Sequence, residues 1–171
     1  MQERIFYMKI AAIIAEYNPF HNGHLLQLNT IRETVGADEI IILMSGDFVQ
    51  RGAPAVIDKY ARCRMALASG ADAVFELPVY FALASAEYFA QGAVSLMDRL
   101  GVTDVLHFGS ECGDISLLQD CATMIADESD AYRRLLNHHL KTGKSFPFAR
   151  SEAVKALSAD CNKEKITEVF A

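Results

Sequence analysis

The sequence predicts an α/β fold in which helices flank a parallel β-sheet, followed by a helical C-terminal part. The first observation is that short apolar runs rich in β-branched residues alternate with stripes of apolar residues at helical spacing. The second is that only helical patterns follow Ile115. Strands that alternate with helices are joined by right-handed crossovers, and such crossovers build a parallel sheet.

Four strands are expected from the short apolar runs. They cover residues 10–15, 39–44, 73–77 and 105–108. Their length and their β-branched residues favour buried strands over helices. Because ligands of parallel sheets bind beyond the carboxyl ends of the strands, we expect functional residues directly after these runs.

The helices are expected where apolar residues recur every three to four positions. The first begins around Gly23, and the second follows Asp58, whose side chain can cap a helix. The clearest stripe ends at Gly101, a residue type that commonly terminates helices. The predicted later helices cover residues 86–100, 115–126, 130–141 and 150–157.

The turn between the first strand and the first helix contains two histidines, His21 and His24. Their spacing places both on one face of the first helical turn, where free N–H groups and the positive end of the helix dipole favour phosphate. Gly23 keeps a side chain out of the path of a ligand, and Pro19 keeps the helix from starting early. Histidines in this position can donate to phosphate oxygens and stabilise charge that develops during in-line attack.

Two other interpretations of these histidines remain open. They are compatible with a helix start that binds nothing, or with a zinc pair in which Glu16 is a third ligand. The intervening glycine favours phosphate over both. The four cysteines form no C-x-x-C pair and no zinc spacing, so we expect reduced thiols, a cytoplasmic protein and no metal held by its own side chains.

Further candidate residues follow the second and fourth strands. Arg51, Lys59 and Arg62 are cations of the second loop and its helix, and they are candidates to contact phosphate or substrate. The fourth strand leads into Gly109, where a backbone can approach a nucleotide, and then into Ser110 and Glu111, which are candidate substrate contacts. All of these segments follow strands, so we expect them to converge on one cleft.

Charge and hydropathy exclude two classes of protein. The net charge of −6 argues against a general nucleic-acid coat, and no apolar run approaches the roughly 18–20 residues that span a membrane. Charge is nevertheless uneven, because residues 132–155 contain six Lys or Arg residues and a single acid, Glu152. A basic helical segment of this kind is compatible with RNA phosphate contacts or with an ordinary solvated surface.

Several strings of residues resemble the bacterial tRNA(Met) cytidine acetate ligase family, which belongs to the His-x-Gly-His nucleotidylyltransferases. The matching strings are AEYNPFHNGH at residues 15–24, MSGDFVQRG at 44–52, DK at 58–59, ELP at 76–78 and FGSE at 108–111. The likeness extends from about residue 8 to residue 150. It implies a Rossmann-like, nucleotidylyltransferase-like sheet. Asp47 departs from the pattern, since many relatives have Asn there.

The resemblance implies an ATP-dependent ligase. ATP and acetate would form acetyl-adenylate and pyrophosphate, with Mg²⁺ carried by ATP, and the acetyl group would pass to N4 of the wobble cytidine of elongator tRNA(Met). His21 and His24 would be the catalytic residues. The implied nucleotide-binding residues are Ile14, Ala15, Glu16, Tyr17, Asn18, Pro19, Phe20, His21, Asn22, Gly23, His24, Leu25, Leu26, Gln27 and Gly109.

The same resemblance suggests how the chain is divided. We expect a nucleotide-binding α/β domain at residues 8–126 and a helical extension at 127–171. Since the family continues beyond this length, we expect the extension to be the start of a region truncated here, with further nucleotide and tRNA contacts after it.

Two alternative functions stay open. One is an adenylyltransferase that acts on a phosphorylated cofactor precursor, which would need a basic pocket for the acceptor phosphate near Arg51 and Lys59. The other is a nucleotide-binding fragment without turnover. Acetate dependence distinguishes the ligase from both.

Overall fold

The computed structural model describes residues 8–50, 52–158 and 163–170 of the 171-residue chain. The chain divides into two compact units, Met1–Phe108 and Gly109–Ala171. This division falls earlier in the chain than the boundary that we expected after residue 126. Within the described residues, no helix combines the length and the apolar character needed to cross a bilayer.

The first unit is built on a parallel sheet in the order β3-β2-β1-β4. Its strands are β1 (Ile10–Ala15), β2 (Glu39–Ser45), β3 (Ala73–Leu77) and β4 (Val105–Leu106). The α/β class and the parallel sheet are therefore confirmed. The fourth strand is shorter than predicted, because only Val105 and Leu106 pair with β1.

Helices cover both faces of this sheet. They are α1 (Asn22–Thr30), which continues as a π-helical segment (Ile31–Val35), α2 (Lys59–Ala68), α3 (Val79–Ala82) and α4 (Ala86–Leu100). The sequence did not predict α3, since four residues are too few to show a helical period.

The core of the first unit consists of two apolar layers separated by the sheet. Ile40 and Ile42 belong to one layer, with residues of α1 and α2, whereas Ile41 and Leu43 belong to the other, with residues of α3 and α4. Successive strand side chains point to opposite faces, so the continuous apolar run of β2 fills both layers. Burial of each such side chain stabilises the fold by roughly 1.5–3 kcal/mol.

Three aspartates fasten the amino ends of the strands. Asp38 and Asp104 accept hydrogen bonds from the backbone N–H groups of Lys9 and Ile10, each at 2.8 Å. Asp72 accepts from the N–H of Ile40 at 2.6 Å. The amino edge of the sheet is therefore fixed by structural contacts.

The second unit is helical, as predicted for the C-terminal part. It comprises α5 (Ile115–Asp127), α6 (Asp130–Lys141), α7 (Phe146–Leu157) and α8 (Lys163–Val169). Its core includes Leu117, Tyr132, Val154 and Ile166. The third of these helices begins four residues earlier than predicted. Its first three residues, 146–148, are exposed, so no stripe of buried apolar side chains marks its start.

Candidate functional site: a histidine-capped turn

The turn between β1 and α1 is closed by two histidines that cap the helix reciprocally. His21 is the N-cap residue, and its Nδ1 accepts a hydrogen bond from the N–H of Gly23 at 3.1 Å. The Nδ1 of His24 accepts in turn from the N–H of His21 at 3.2 Å. This is a capping box in which histidines replace the usual hydroxyl and carboxylate side chains.

This arrangement fixes the tautomer of both rings. Because each Nδ1 accepts a hydrogen bond, a neutral imidazole in either position has its proton on Nε2. The rings of His21 and His24 stack, with centroids 3.7 Å apart and an interplanar angle of 22°. Burial, and then repulsion from His21, lower the pKa of His24 below 6.5. The pair therefore places two Nε2–H donors at the positive end of a helix.

Aromatic side chains hold the ring of His24. The ring of Tyr17 lies 4.6 Å from that of His24 and 4.9 Å from that of Phe20. Tyr17 is buried and adopts a positive φ of 46°. Burial raises the pKa of its hydroxyl to about 12, so Tyr17 stays neutral, and this hydroxyl has no hydrogen-bond partner among the described residues.

Gly23 is required by the cap itself. A Cβ at this position would lie 3.0 Å from Cε1 and 3.1 Å from Nδ1 of His21. The glycine thus leaves space for the capping imidazole, which is a reason that the sequence alone did not reveal. The role that we predicted for it, leaving a path for a ligand, stays a prediction.

The loop between β2 and α2 is fastened to the histidine turn by two side chains. Glu16 accepts a hydrogen bond from the N–H of Gln50 at 2.7 Å. Asn18 accepts from the N–H of Val56, also at 2.7 Å. Glu16 therefore positions a loop, whereas the zinc interpretation would make it a ligand. Among the described residues no three His, Cys, Asp or Glu side chains form a group that could hold a metal ion.

Arg62 is a correction to our list of phosphate-binding candidates. Its side chain is fully buried, and burial lowers its pKa. The guanidinium donates to backbone carbonyls at the ends of β1 and β2 and before α2, namely those of Glu16, Ser45, Gly46 and Ile57. It fastens three segments together and is not available to a phosphate.

Lys59 lies at the carboxyl edge of the sheet but is already paired. Its Nζ is 2.9 Å and 3.0 Å from the carboxylate oxygens of Glu76 and 3.5 Å from that of Asp47. The hydrogen bond with Glu76 is the main cause of its raised pKa. A role for Lys59 in binding substrate stays a prediction. In that role its Nζ would have to leave Glu76 and Asp47 and contact the substrate instead. Arg51 lies outside the described residues.

The segment after β4 contains one residue that sequence reasoning missed. His107 follows this strand and contacts Gln27 of α1, with His107 Nδ1 3.2 Å from Gln27 Nε2. The strand order reverses between β1 and β4, which is where such sheets bind ligands. The position of His107 directly after the fourth apolar run was the signal that could have identified it.

Gly109, Ser110 and Glu111 belong to the second compact unit. A Cβ at Gly109 would meet no atom within 4 Å, and Ser110 Oγ lies 3.2 Å from Cys112 Sγ. Their expected convergence with the histidine turn stays a prediction.

Comparisons with known proteins find close relatives of this chain. Residues 8–169 match the family model described as HIGH Nucleotidyl Transferase. A Caldicellulosiruptor saccharolyticus protein named tRNA(Met) cytidine acetate ligase is 53% identical over 153 residues, which are 90% of this chain and 38% of that protein. The Acetivibrio thermocellus protein of the same name is 47% identical over 152 residues, 89% of this chain and 37% of that protein.

A solved structure shows the same fold. The crystal structure of Thermotoga maritima TmcAL bound with alpha-thio ATP superposes with a TM-score of 0.89 at 45% sequence identity. The match covers 96% of this chain and 40% of that chain. This chain thus spans about two fifths of the length of the relatives that it matches.

Proposed function

Because the chain belongs to the HIGH Nucleotidyl Transferase family, we propose that it binds ATP at the histidine-capped turn and transfers the adenylyl group to a carboxylate. The observation that carries this proposal is the reciprocal cap of His21 and His24, which directs two Nε2–H groups away from the backbone that their Nδ1 atoms bind. Relatives support it, since one of them was crystallised with an ATP analogue.

The carboxylate that we propose is acetate, in agreement with the name of the relatives. A carboxylate oxygen of acetate attacks the α-phosphorus of ATP, the bond to the β-phosphate oxygen breaks, and pyrophosphate leaves. The N4 amine of the wobble cytidine of elongator tRNA(Met) then attacks the carbonyl carbon of acetyl-adenylate, and AMP leaves with the bonding electrons.

The histidines act on the phosphate charge in this scheme. Their Nε2–H groups donate to phosphate oxygens, and this interaction strengthens as charge develops on the pentavalent phosphorus. A preformed donor pair costs no reorganisation during the reaction. Mg²⁺ that enters with the triphosphate would supply positive charge to the leaving pyrophosphate.

The proposed nucleotide site extends over residues 14–27 and Gly109. In this stretch the buried Tyr17 and the half-buried Phe20 hold the imidazole of His24, and Glu16 and Asn18 hold the neighbouring loop. The alternative, transfer to a phosphorylated acceptor, would need free cations to bind the acceptor phosphate. Lys59, which we predicted for that pocket, is paired with Glu76 and Asp47, so this alternative gains no support from the described residues.

Pyrophosphate exchange tests the proposal. The chain is incubated with ATP, Mg²⁺ and labelled pyrophosphate, with and without acetate, and a full-length relative of the same family is the positive control. Exchange that requires acetate and needs no tRNA is the expected result. Exchange without acetate would refute the choice of carboxylate, and silence of this chain beside an active relative would show that these 171 residues do not catalyse adenylation by themselves.

A further inference from the structure

The exposed face of α6 is basic and forms a concave surface. A cavity of about 460 Å³ is lined by Asp130, Arg133, Arg134, Asn137, His138 and Lys141. Each of these positions lies three or four residues from another of the set, so they share one face of the helix. The opposite face contributes Tyr132, Leu135 and Leu136 to the core of the second unit.

Two of these cations are available to a partner. Arg133 is paired with Glu128 at 3.0 Å. Arg134 and Lys141, both exposed, form no ion pair within the part of the chain that the structure describes. They are part of a basic segment in a chain whose net charge is −6, so this positive surface contrasts with the rest of the molecule.

Exposed aromatic rings follow in the first turn of α7. The side chains of Phe146 and Phe148 are 51% and 46% exposed. Cations flank both rings, since Arg150 lies 5.7 Å from the centroid of Phe146 and Lys144 lies 5.2 Å from that of Phe148. Proteins that bind unpaired nucleotides combine cations for the backbone with aromatic faces for the bases.

We propose that the exposed face of α6 and the first turn of α7 form an RNA-docking surface. Arg134 and Lys141 contact phosphates, and Phe148 stacks on an unpaired base. A helix that lies in a membrane surface inserts a broad apolar face, whereas the six residues that line the α6 cavity are all polar and the exposed rings of Phe146 and Phe148 belong to a single turn of α7. The proposal deepens the proposed function, because it rests on RNA being the acceptor and identifies where this chain holds it.

The charge contribution is tested by the salt dependence of binding. Fluorescence anisotropy measures the affinity of the chain for an unmodified elongator tRNA(Met) transcript across a salt series. Each phosphate contact contributes about 0.7–0.9 to the log–log slope. We expect weak binding at low salt, and we expect the double variant Arg134→Gln with Lys141→Gln to reduce the slope by about 1–2.

A matched pair removes the same charge elsewhere. Arg64 and Arg99 are exposed on α2 and α4, so Arg64→Gln with Arg99→Gln changes the net charge equally. This control should keep the slope of the parent chain. Equal slopes in the two double variants, or no RNA binding at low salt, would overturn the proposal.

The stacking contribution is tested separately. Loss of one stacked base typically weakens binding by roughly 5- to 150-fold, and we expect this range for Phe148→Ala. Tyr88, which is 59% exposed on α4, provides the control Tyr88→Ala, which should bind as the parent does. Equal affinity of Phe148→Ala and the parent chain would overturn the stacking role.

Two further measurements separate this proposal from its alternatives. If the chain binds vesicles of anionic lipid but does not bind tRNA, the RNA-docking proposal is overturned and the surface is a membrane-binding one. Titration with ATP should give the same affinity in all four variants, because none lies in the histidine turn. The chain could bind no ATP while its RNA binding still weakens in the α6 and α7 variants as expected. That result would refute the proposed nucleotide site and support the RNA-docking surface.

Discussion

His21 and His24 use one ring nitrogen for folding and keep the other for chemistry. Each Nδ1 satisfies a backbone N–H of the first turn of α1, which would otherwise have no partner. The fold thus orients both rings before any ligand arrives. Because structure and proposed catalysis use different atoms of the same side chains, substitution can separate the two roles.

The separation predicts the behaviour of a variant that keeps the cap. Asn is a good N-cap residue and Gln a good third residue of a capping box, so His21→Asn with His24→Gln should change the free energy of unfolding by no more than about 1 kcal/mol. Loss of preorganised donors should reduce acetate-dependent exchange by on the order of 10²–10³ or more. Urea denaturation and the exchange assay check the two parts.

The corresponding double alanine variant is the comparison. It lacks the cap and the donors, so it should be less stable by about 1 kcal/mol or more and equally inactive. Exchange at the parent rate in the cap-retaining variant would show that the histidines have no part in catalysis.

The lowered pKa of His24 predicts how stability depends on pH. The folded state disfavours the protonated ring, and protonation of Nδ1 would also replace an acceptor by a donor. The stabilising contribution of neutral His24 is therefore complete above pH 6.5, the ordinary value, and is lost as pH falls below it towards the lower pKa of the folded state.

Urea denaturation at several pH values measures this effect. Between about pH 7.5 and 5, the free energy of unfolding should fall more steeply for the parent chain than for His24→Gln. Parallel curves for the two proteins would contradict the assigned hydrogen bond.

Gly23→Ala should affect ligand binding more than folding. The new Cβ would press on the ring of His21, and the flexible imidazole would leave the cap, which costs about 1 kcal/mol. Alanine has a higher helix propensity than glycine, which stabilises the helix by about 1 kcal/mol, so the net change in the free energy of unfolding should be small. Affinity for ATP, measured by calorimetry, should fall.

Asn29→Ala is a suitable control for this substitution, since Asn29 is exposed on the same helix. It should keep the ATP affinity of the parent. Unchanged affinity in Gly23→Ala would place the nucleotide elsewhere.

At the scale of elements, Arg62 organises the carboxyl edge of the sheet. It joins the ends of β1 and β2 to the loop before α2 by donating to four backbone carbonyls. Burial of the guanidinium is tolerated because four carbonyls accept its hydrogen bonds. A side chain that cannot donate would leave these carbonyls without partners.

Arg62→Met should therefore destabilise the protein by about 3–5 kcal/mol, since it removes a buried charged donor and keeps the side-chain volume. Arg64→Met, two residues along the same helix and exposed, should stay within about 0.5 kcal/mol of the parent. Chemical denaturation of both variants measures the difference. A loss below about 1 kcal/mol in Arg62→Met would show that water replaces the guanidinium.

The elements also show what the sequence could reveal. The strands were predictable because β1 and β2 are built on continuous apolar runs and β3 is apolar except for Glu76. The histidine turn was predictable from a strand, a His-x-Gly-His spacing and a helical stripe. The four-residue α3 and the π-helical segment Ile31–Val35 were not, because neither has its own period. The burial of Arg62 depends on carbonyls from distant segments, which no local pattern encodes.

At the scale of the whole molecule, the chain contains a sheet-based unit and a helical unit. The first contains the proposed nucleotide site, and the second contains the proposed RNA surface. Charge patterning predicted the basic segment, whereas its arrangement into one exposed face of α6 became evident only when the opposite face was seen to fill a core. The failures of the two proposals can be distinguished, since each has its own ligand.

Nitrogen-15 NMR of the imidazoles shows whether the paired histidines His21 and His24 form the ATP site. The chain has five histidines, and His138 and His139 on α6 are internal references. We predict that His21 and His24 are both Nε2–H tautomers near neutral pH, and that saturating Mg²⁺-ATP shifts their Nε2 signals and leaves His138 and His139 unchanged. Nδ1–H tautomers, or Nε2 signals that do not move with ATP, would contradict the account.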